Sequence, residues 1–349
     1  MPPWPQPPEP LPATPRDRLS WAVSVAARFG GPGVQGAGEP VFTHLPELSE
    51  ALALAVAEGG RDDVAQALPL ADVLGAAWER LGALEGGCAR LDEALAAATR
   101  VGLTEEPAVA RVLRRRARLA MALGRHDEAD EDLQRAFGIA ASRDDRLAVS
   151  LALDRADLAM HRGAWAAAEG LVPDLLARTH ATGDPLLQAM GLNRAAWSAF
   201  GSGDLAGARE RYDRAWALAE LHEDPVVEAR TASGLGLLAM LEGDTARSHE
   251  HWRRALELAE QLHDRSFMLH CLDGIAAVLV TGGQDADGVR LAAATTAARE
   301  ALHHPRPEGM LAVHELVLRR AGAPEGAWSY AEAVTFARRA VSDAASGSP

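Results

Sequence analysis

Glycine returns in this chain at a nearly fixed interval. Gly86, Gly124, Gly163, Gly203, Gly243, Gly283 and Gly322 each follow an apolar helical pattern, at spacings of 38, 39, 40, 40, 40 and 39 residues. A period in this range means a structural unit repeated along the chain. The segments around the glycines share one frame, among them "ALGRHDEADEDLQRAF", "FGSGDLAGARERYDRAW" and "LEGDTARSHEHWRRALELA". Small residues recur seven positions before the glycine (Ala117, Ala156, Ala196, Gly236, Ala276), five after it (Ala129, Ala168, Ala208, Ser248) and twelve after it (Ala98, Ala136, Ala215, Ala255). Bulky residues stand nine after it: Leu95, Leu133, Val172, Tyr212 and Trp252. Small positions let two helices approach, and the bulky ones fill the hole opposite.

Composition agrees with helices. Ala, Leu, Arg and Glu dominate, and aromatics are only 5%. One amphipathic helix pair cannot bury both its faces, so such units stack and complete each other's core. The reading is all-α: a right-handed superhelical α-solenoid of helix pairs with a period near 40. Its expected parts are a proline-rich arm at 1–15, where eight of fifteen residues are Pro, and an N-terminal helix pair at 16–60 joined through the Gly/Pro-rich loop 30–40. Six helix pairs follow at 61–303, then a C-terminal capping pair at 304–343 and a tail at 344–349. Pro69 is expected to kink or split the first helix of the series.

The frame resembles the tetratricopeptide repeat, lengthened from its usual 34 residues. The long form is similar to the repeats in the C-terminal sensor half of bacterial LuxR-type and STAND-class regulators. "HLPELSEALALAVAEGG" (44–60) looks like the start of that half and "VRLAAATTAAREALHHPRPEGMLAVHELVLRRAGAPEGAWSYAEAVTFARRAV" (289–341) like its close. The resemblance covers about residues 17–341. It implies a regulatory scaffold in signalling or transcription, here without the ATPase and DNA-binding parts.

Several chemistries are disfavoured. All 35 cationic residues are Arg, so the lysine of a phosphate loop and of Schiff-base chemistry is missing. A net charge of −14 speaks against direct nucleic-acid contact. The two cysteines, Cys88 and Cys271, form no metal or redox motif and read as reduced thiols. The N-terminal stretch has no signal-peptide pattern and no apolar run spans a bilayer, so a cytoplasmic protein without membrane contact is expected. "SHEHW" (248–252) puts two histidines on different helix faces. "TASGLG" (231–236) lacks the first Gly and the preceding strand of a nucleophile elbow. No enzyme, cofactor or metal site is expected.

"HEDP" (222–225) has the look of an acid/base cluster. Its equivalents are the linkers "TEEP" (104–107), "RDDR" (143–146), "TGDP" (182–185) and "LHDR" (262–265). An acidic residue at a helix start accepts backbone N–H bonds, and Pro fits the first turn. Asp224 is therefore read as a cap.

The candidate site is the face that the first helices turn to the groove. Tetratricopeptide-like pairs present the second, fifth and ninth positions there, and residues near the twelfth or thirteenth. In this frame they include Arg80, Arg111, Arg114 and Arg118, then Asp157, His161, Asn193, Trp197, Arg230 and His270. Arg111, Arg114 and Arg118 lie on one helical face. They suit a carboxylate or phosphate, or pair internally with Asp154 or Asp157; both readings stay open. Asn193 suits a peptide backbone or a polar ligand, and Trp197 offers a flat apolar surface beside it. The stripe Met121, Met160, Phe200 and Met240 is adaptable groove lining or inter-repeat core. The expected partner is a protein or peptide, the alternative a small anionic effector; the oligomeric state is not legible.

Overall fold

The computed structural model describes residues 14–29, 39–140, 145–321 and 328–345, and every regular element among them is a helix. The proline-rich arm up to residue 13, the loop at 30–38, residues 141–144 (with the first two residues of "RDDR"), Gly322 and the tail from 346 lie outside them. Three helices come first: α1 (Pro15–Phe29), the short α2 (Glu39–Thr43) and α3 (Leu45–Glu58). Six hairpins follow: α4 (Arg61–Leu81) with α5 (Leu84–Arg100), α6 (Pro107–Ala122) with α7 (His126–Ala140), and α8 (Asp145–His161) with α9 (Trp165–Ala181). Then come α10 (Pro185–Gly201) with α11 (Leu205–Leu221), α12 (Pro225–Leu241) with α13 (Thr245–Gln261), and α14 (Arg265–Thr281) with α15 (Asp285–Ala301). The last two helices are α16 (Glu308–Ala321) and α17 (Tyr330–Ala345). This is an all-α, tetratricopeptide-like repeat of sequentially packed helix pairs. It divides into two compact units, Met1–Asp154 and Arg155–Pro349, with the boundary inside α8.

The connections of the second unit obey a half-period that the 40-residue ladder conceals. Left-handed φ occurs at Gly163, Gly183, Gly203, Glu223, Gly243, His263, Gly283 and His303, every 20 residues. The residue after each of five of these is an Asp at a helix start: Asp184, Asp204, Asp224, Asp244 and Asp264. Each accepts a backbone N–H of its helix; Asp224 takes those of Val226 and Val227 at 3.0 and 2.9 Å. Its own N–H donates back to Ala219 O at 3.0 Å. One Asp thus closes one helix and opens the next, so 17-residue helices need only three linking residues. The cap reading of "HEDP" holds. At "TEEP" Glu106 stands at the cap position without a side-chain cap bond.

Small residues mark the crossings as expected, with one correction. Gly86 is not the first rung: it lies inside α5, and Gly82 (φ 72°) ends α4. The first pair therefore shifts by four, which puts Gly75 at the crossing. A Cβ there would meet Arg115 Cβ at 2.9 Å. Likewise a Cβ on Gly274 would lie 2.1 Å from Trp252 Cζ2, and one on Gly234 2.2 Å from Tyr212 Cζ. Trp252 and Tyr212 are fully buried in those hollows. Pro69 does not split its helix: α4 runs through it, with Pro69 on an exposed face.

The pair expected at 304–343 comes as two helices that part. α16 packs on α14 and α15, whereas the contacts of α17 run to α13, α15 and α14. On that outer side Arg338 pairs with Glu260 of α13, and the Arg265 guanidinium sits 4.9 Å over the Tyr330 ring. Met310, Val313 and Val317 of α16 join the same core cluster as Trp252, Ile275 and Leu279.

Candidate functional site

In the first unit the arginine face of α6 is held by carboxylates of its own neighbours. Arg114 is buried and bonds through Nε to Asp154. Arg118 donates to Asp154 Oδ1 at 2.7 Å and to Glu79 at 2.6 and 2.9 Å. Arg115 donates to Asp72 at 2.6 Å. Burial works against the Asp154 charge, but Arg114 and Arg118 outweigh it and hold its carboxyl below the ordinary range. Of the two readings left open for this face, the geometry at Arg114 and Arg118 is internal pairing. Arg111 is half-buried at the start of the same row. Arg80 moves with the corrected frame from the ninth position to the thirteenth, near the end of α4.

In the second unit the first helices bring several candidates together. Trp197 of α10 stacks on Phe200 (centroids 5.2 Å apart, planes 5° apart). Its edges meet Trp165 at 6.3 Å and His270 of α14 at 6.5 Å. The His270 ring stacks on Phe267 at 5.3 Å and tilts against Trp252 at 5.7 Å. Arg230 of α12 lies 4.2 Å over the other ring partner, Phe267, and donates to Asp264 at 3.2 Å. Trp197, His270 and Arg230 therefore belong to one aromatic chain across three successive pairs. Burial, then the charges of Arg230 and Arg299, press the His270 pKa down to about 3, so its imidazole is neutral at ordinary pH.

The remaining candidates sit apart from that chain. Asn193 is buried and donates to Thr231 Oγ1 at 3.2 Å. Asp157 pairs with Arg194 at 3.2 Å. His161 ends α8, half-buried. Met121, Met160 and Met240 are buried as core, and Phe200 stacks beside Trp197.

Sequence reasoning missed what lies on this face. A Cβ at Gly309, in the first turn of α16, would come within 2.8 Å of Trp197 Cζ2 and 3.1 Å of Trp165 Cη2. Only a residue without a side chain brings α16 this close. Just before it, Arg306 donates to Asp273 Oδ1 at 3.0 and 3.1 Å and to Thr296 at 2.9 Å, while Arg299 holds Asp273 Oδ2. The available signal was "HHPRPEG": two prolines around one arginine, then a glycine.

Among the described residues no group of three or more His, Cys, Asp or Glu could hold a metal ion, and no helix is long and apolar enough to cross a membrane. Cys88 and Cys271 are free and buried. His249 makes a 2.8 Å bond with Thr245 O, while His251 packs edge-on to Trp216.

No protein-family model matches the sequence, and no curated protein matches it. Solved structures do. A Rap protein complexed with Competence and Sporulation Factor is 14% identical, with 93% of this chain and 86% of that one covered at a TM-score of 0.56. The Rap conjugation gene regulator of the plasmid pLS20, in complex with the Phr* peptide, is 11% identical, with 95% and 98% covered at 0.54. A STAND protein with a tetratricopeptide repeat sensor from Pyrococcus horikoshii is 12% identical, with 95% of this chain and 49% of that one covered at 0.46. At these identities the likeness to the two Rap structures is one of fold. The class they share with this chain is the tetratricopeptide-like helical repeat.

Proposed function

We propose that this chain is a regulatory scaffold that binds a protein or peptide segment on the first-helix face of its second unit, and that it acts by binding, not catalysis. One observation carries the reading. Trp197, one link of the aromatic chain that runs on to His270 and Phe267, already receives a helical segment: the start of α16 lies close against Trp197 and Trp165. A row of aromatics that ends in a cation, Arg230 over Phe267, suits a helix laid along it. The two Rap structures are complexes with Competence and Sporulation Factor and with the Phr* peptide, which supports a peptide or protein partner here. The same likenesses, with the resemblance to sensor halves of regulators, support a place in signalling or gene control.

The anionic-effector reading has weaker footing. Arg114 and Arg118 are engaged by Asp154 and Glu79, and Arg299 and Arg306 by Asp273.

A photo-crosslinking amino acid at position 197, in cells that express the chain, tests the reading. The adduct identifies the partner, which is then titrated against the purified protein. Trp197→Ala and Arg230→Glu should each weaken binding at least tenfold. A partner that binds both variants as tightly as the parent would sink the assignment of this face.

A further inference from the structure

The last turn before α16 and its buried stripe form a pattern. Arg306 reaches Asp273, Gly309 meets Trp197, and Met310, Val313 and Val317 enter the core. Counted from the glycine, these are positions −3, 0, +1, +4 and +8. The three apolar residues follow helical spacing and make one narrow stripe. Opposite it, Leu311 and Leu318 are exposed, 37% and 47%, with Glu315 between them.

α16 is held less deeply than its neighbours. α14 buries 12 of its 17 residues, whereas the buried residues among the described side chains of α16 are those three. Helices with few buried contacts open at lower free energy than the core around them. Release of Arg306 does not strand Asp273, because Arg299 keeps two bonds to its other oxygen at 3.0 and 3.2 Å. α17 has its own anchorage on α13 through Arg338 and Glu260, so α16 can leave without it.

We propose that α16 is a built-in, displaceable occupant of the second unit's first-helix face, and that the partner taken in its place is an amphipathic helical peptide with an arginine three residues before a glycine and apolar side chains one, four and eight residues after it. This rests on the binding reading above and names the chemistry of the ligand. Binding would then be competitive within the molecule. Affinity for the partner falls by the fraction of time the face is already filled.

The test uses the full chain and a fluorescein-labelled synthetic peptide of its own residues 304–321. Gly309→Leu in the chain drives a side chain into Trp197 and Trp165. Hydrogen exchange in residues 308–321 should rise at least tenfold, with the rest of the second unit unchanged, and the variant should bind the peptide at least tenfold more tightly than the parent chain does. The peptide carrying Arg306→Glu should lose that gain. Should Gly309→Leu lower the total helix content, Arg306→Glu in the chain loosens the same contact without adding volume, and the same readings apply. Protection of α16 persisting in both variants overturns the proposal. So does release of α16 with no gain in peptide binding, or binding indifferent to the peptide's Arg306. Failure of the underlying reading looks different: the crosslinked partner would then ignore Trp197→Ala, whatever α16 does.

Discussion

Adjacent residues of "HEDP" carry opposite contributions to stability. Asp224 is 2% exposed and accepts two backbone N–H groups. Asp224→Ala should cost about 1 kcal/mol, the ordinary value of a lost cap. Glu223 has φ 50°, a conformation that costs a residue with a Cβ roughly 1–2 kcal/mol. Gly183 holds the same place in the linker before α10 at φ 65°. Glu223→Gly should therefore stabilise by roughly 0.5 kcal/mol, once the greater freedom of glycine in the unfolded chain is subtracted. His263→Gly (φ 53°) should behave alike, and Gly203→Ala (φ 86°) should destabilise. Urea midpoints of these four variants check the set. A drop in midpoint for both glycine replacements would refute strain at the αL linkers.

Between elements, a few buried groups fix how neighbouring pairs seat. Asp154 is fully buried between Arg114 and Arg118. Asp154→Ala leaves Arg114 buried without its anion and should cost about 3–5 kcal/mol in the first unit. Arg178→Ala, which breaks an exposed pair with Asp174, should cost well under about 1 kcal/mol. Equal losses in urea titrations would refute a special role for the buried network. Gly274→Ala should cost about 1–3 kcal/mol by overpacking against Trp252, and Trp252→Leu in the same chain should recover part of it. The crossings were legible in the sequence because a single close approach demands a small residue wherever it falls. The first pair misled: "EGG" offers Gly86 at a spacing near 40, while the true turn glycine, Gly82, stands 42 residues before Gly124. The arginine face was legible as a row, but its partners were not. Asp154 lies 40 residues from Arg114, and a periodic pattern gives the face of each charge without saying which neighbour it meets. The 20-residue series of aspartates was open to reading but lay beneath the stronger glycine ladder. The place of α16 was not readable at all, since the same apolar stripe serves a helix stacked as the next repeat and one turned onto the first-helix face.

Taken over the whole molecule, titration should separate the two units. Four histidines of the second unit have depressed pKa values: His251, His270, His304 and His314, each chiefly through burial. Arg299 or Arg306 adds to the depression at His270, His304 and His314. An unfolded histidine binds a proton near 6.5, whereas folded His270 waits until about 3. The unfolded state therefore holds more protons in that interval. The contribution of neutral His270 is complete above about pH 6.5 and shrinks as pH falls toward 3. Asp154 acts in the same direction but lower down. Its carboxyl is held below its ordinary 3.8, so the first unit keeps that stabilisation until pH falls through this range. Acidification from pH 7 to 4.5 should thus loosen the second unit first. Hydrogen exchange at pH 7, 5.5 and 4.5, corrected for the intrinsic rate, would show opening of α10–α15 growing while α4–α7 stay protected. His270→Phe removes the most displaced of these titrations and keeps an aromatic ring against Phe267 and Trp252. Its second unit should lose stability with pH less steeply than the parent, by up to one proton's worth of slope. An unchanged slope in that variant would mean that His270 takes up its proton in the folded state, and that the ring is not sealed by Trp197, Phe267 and Arg230.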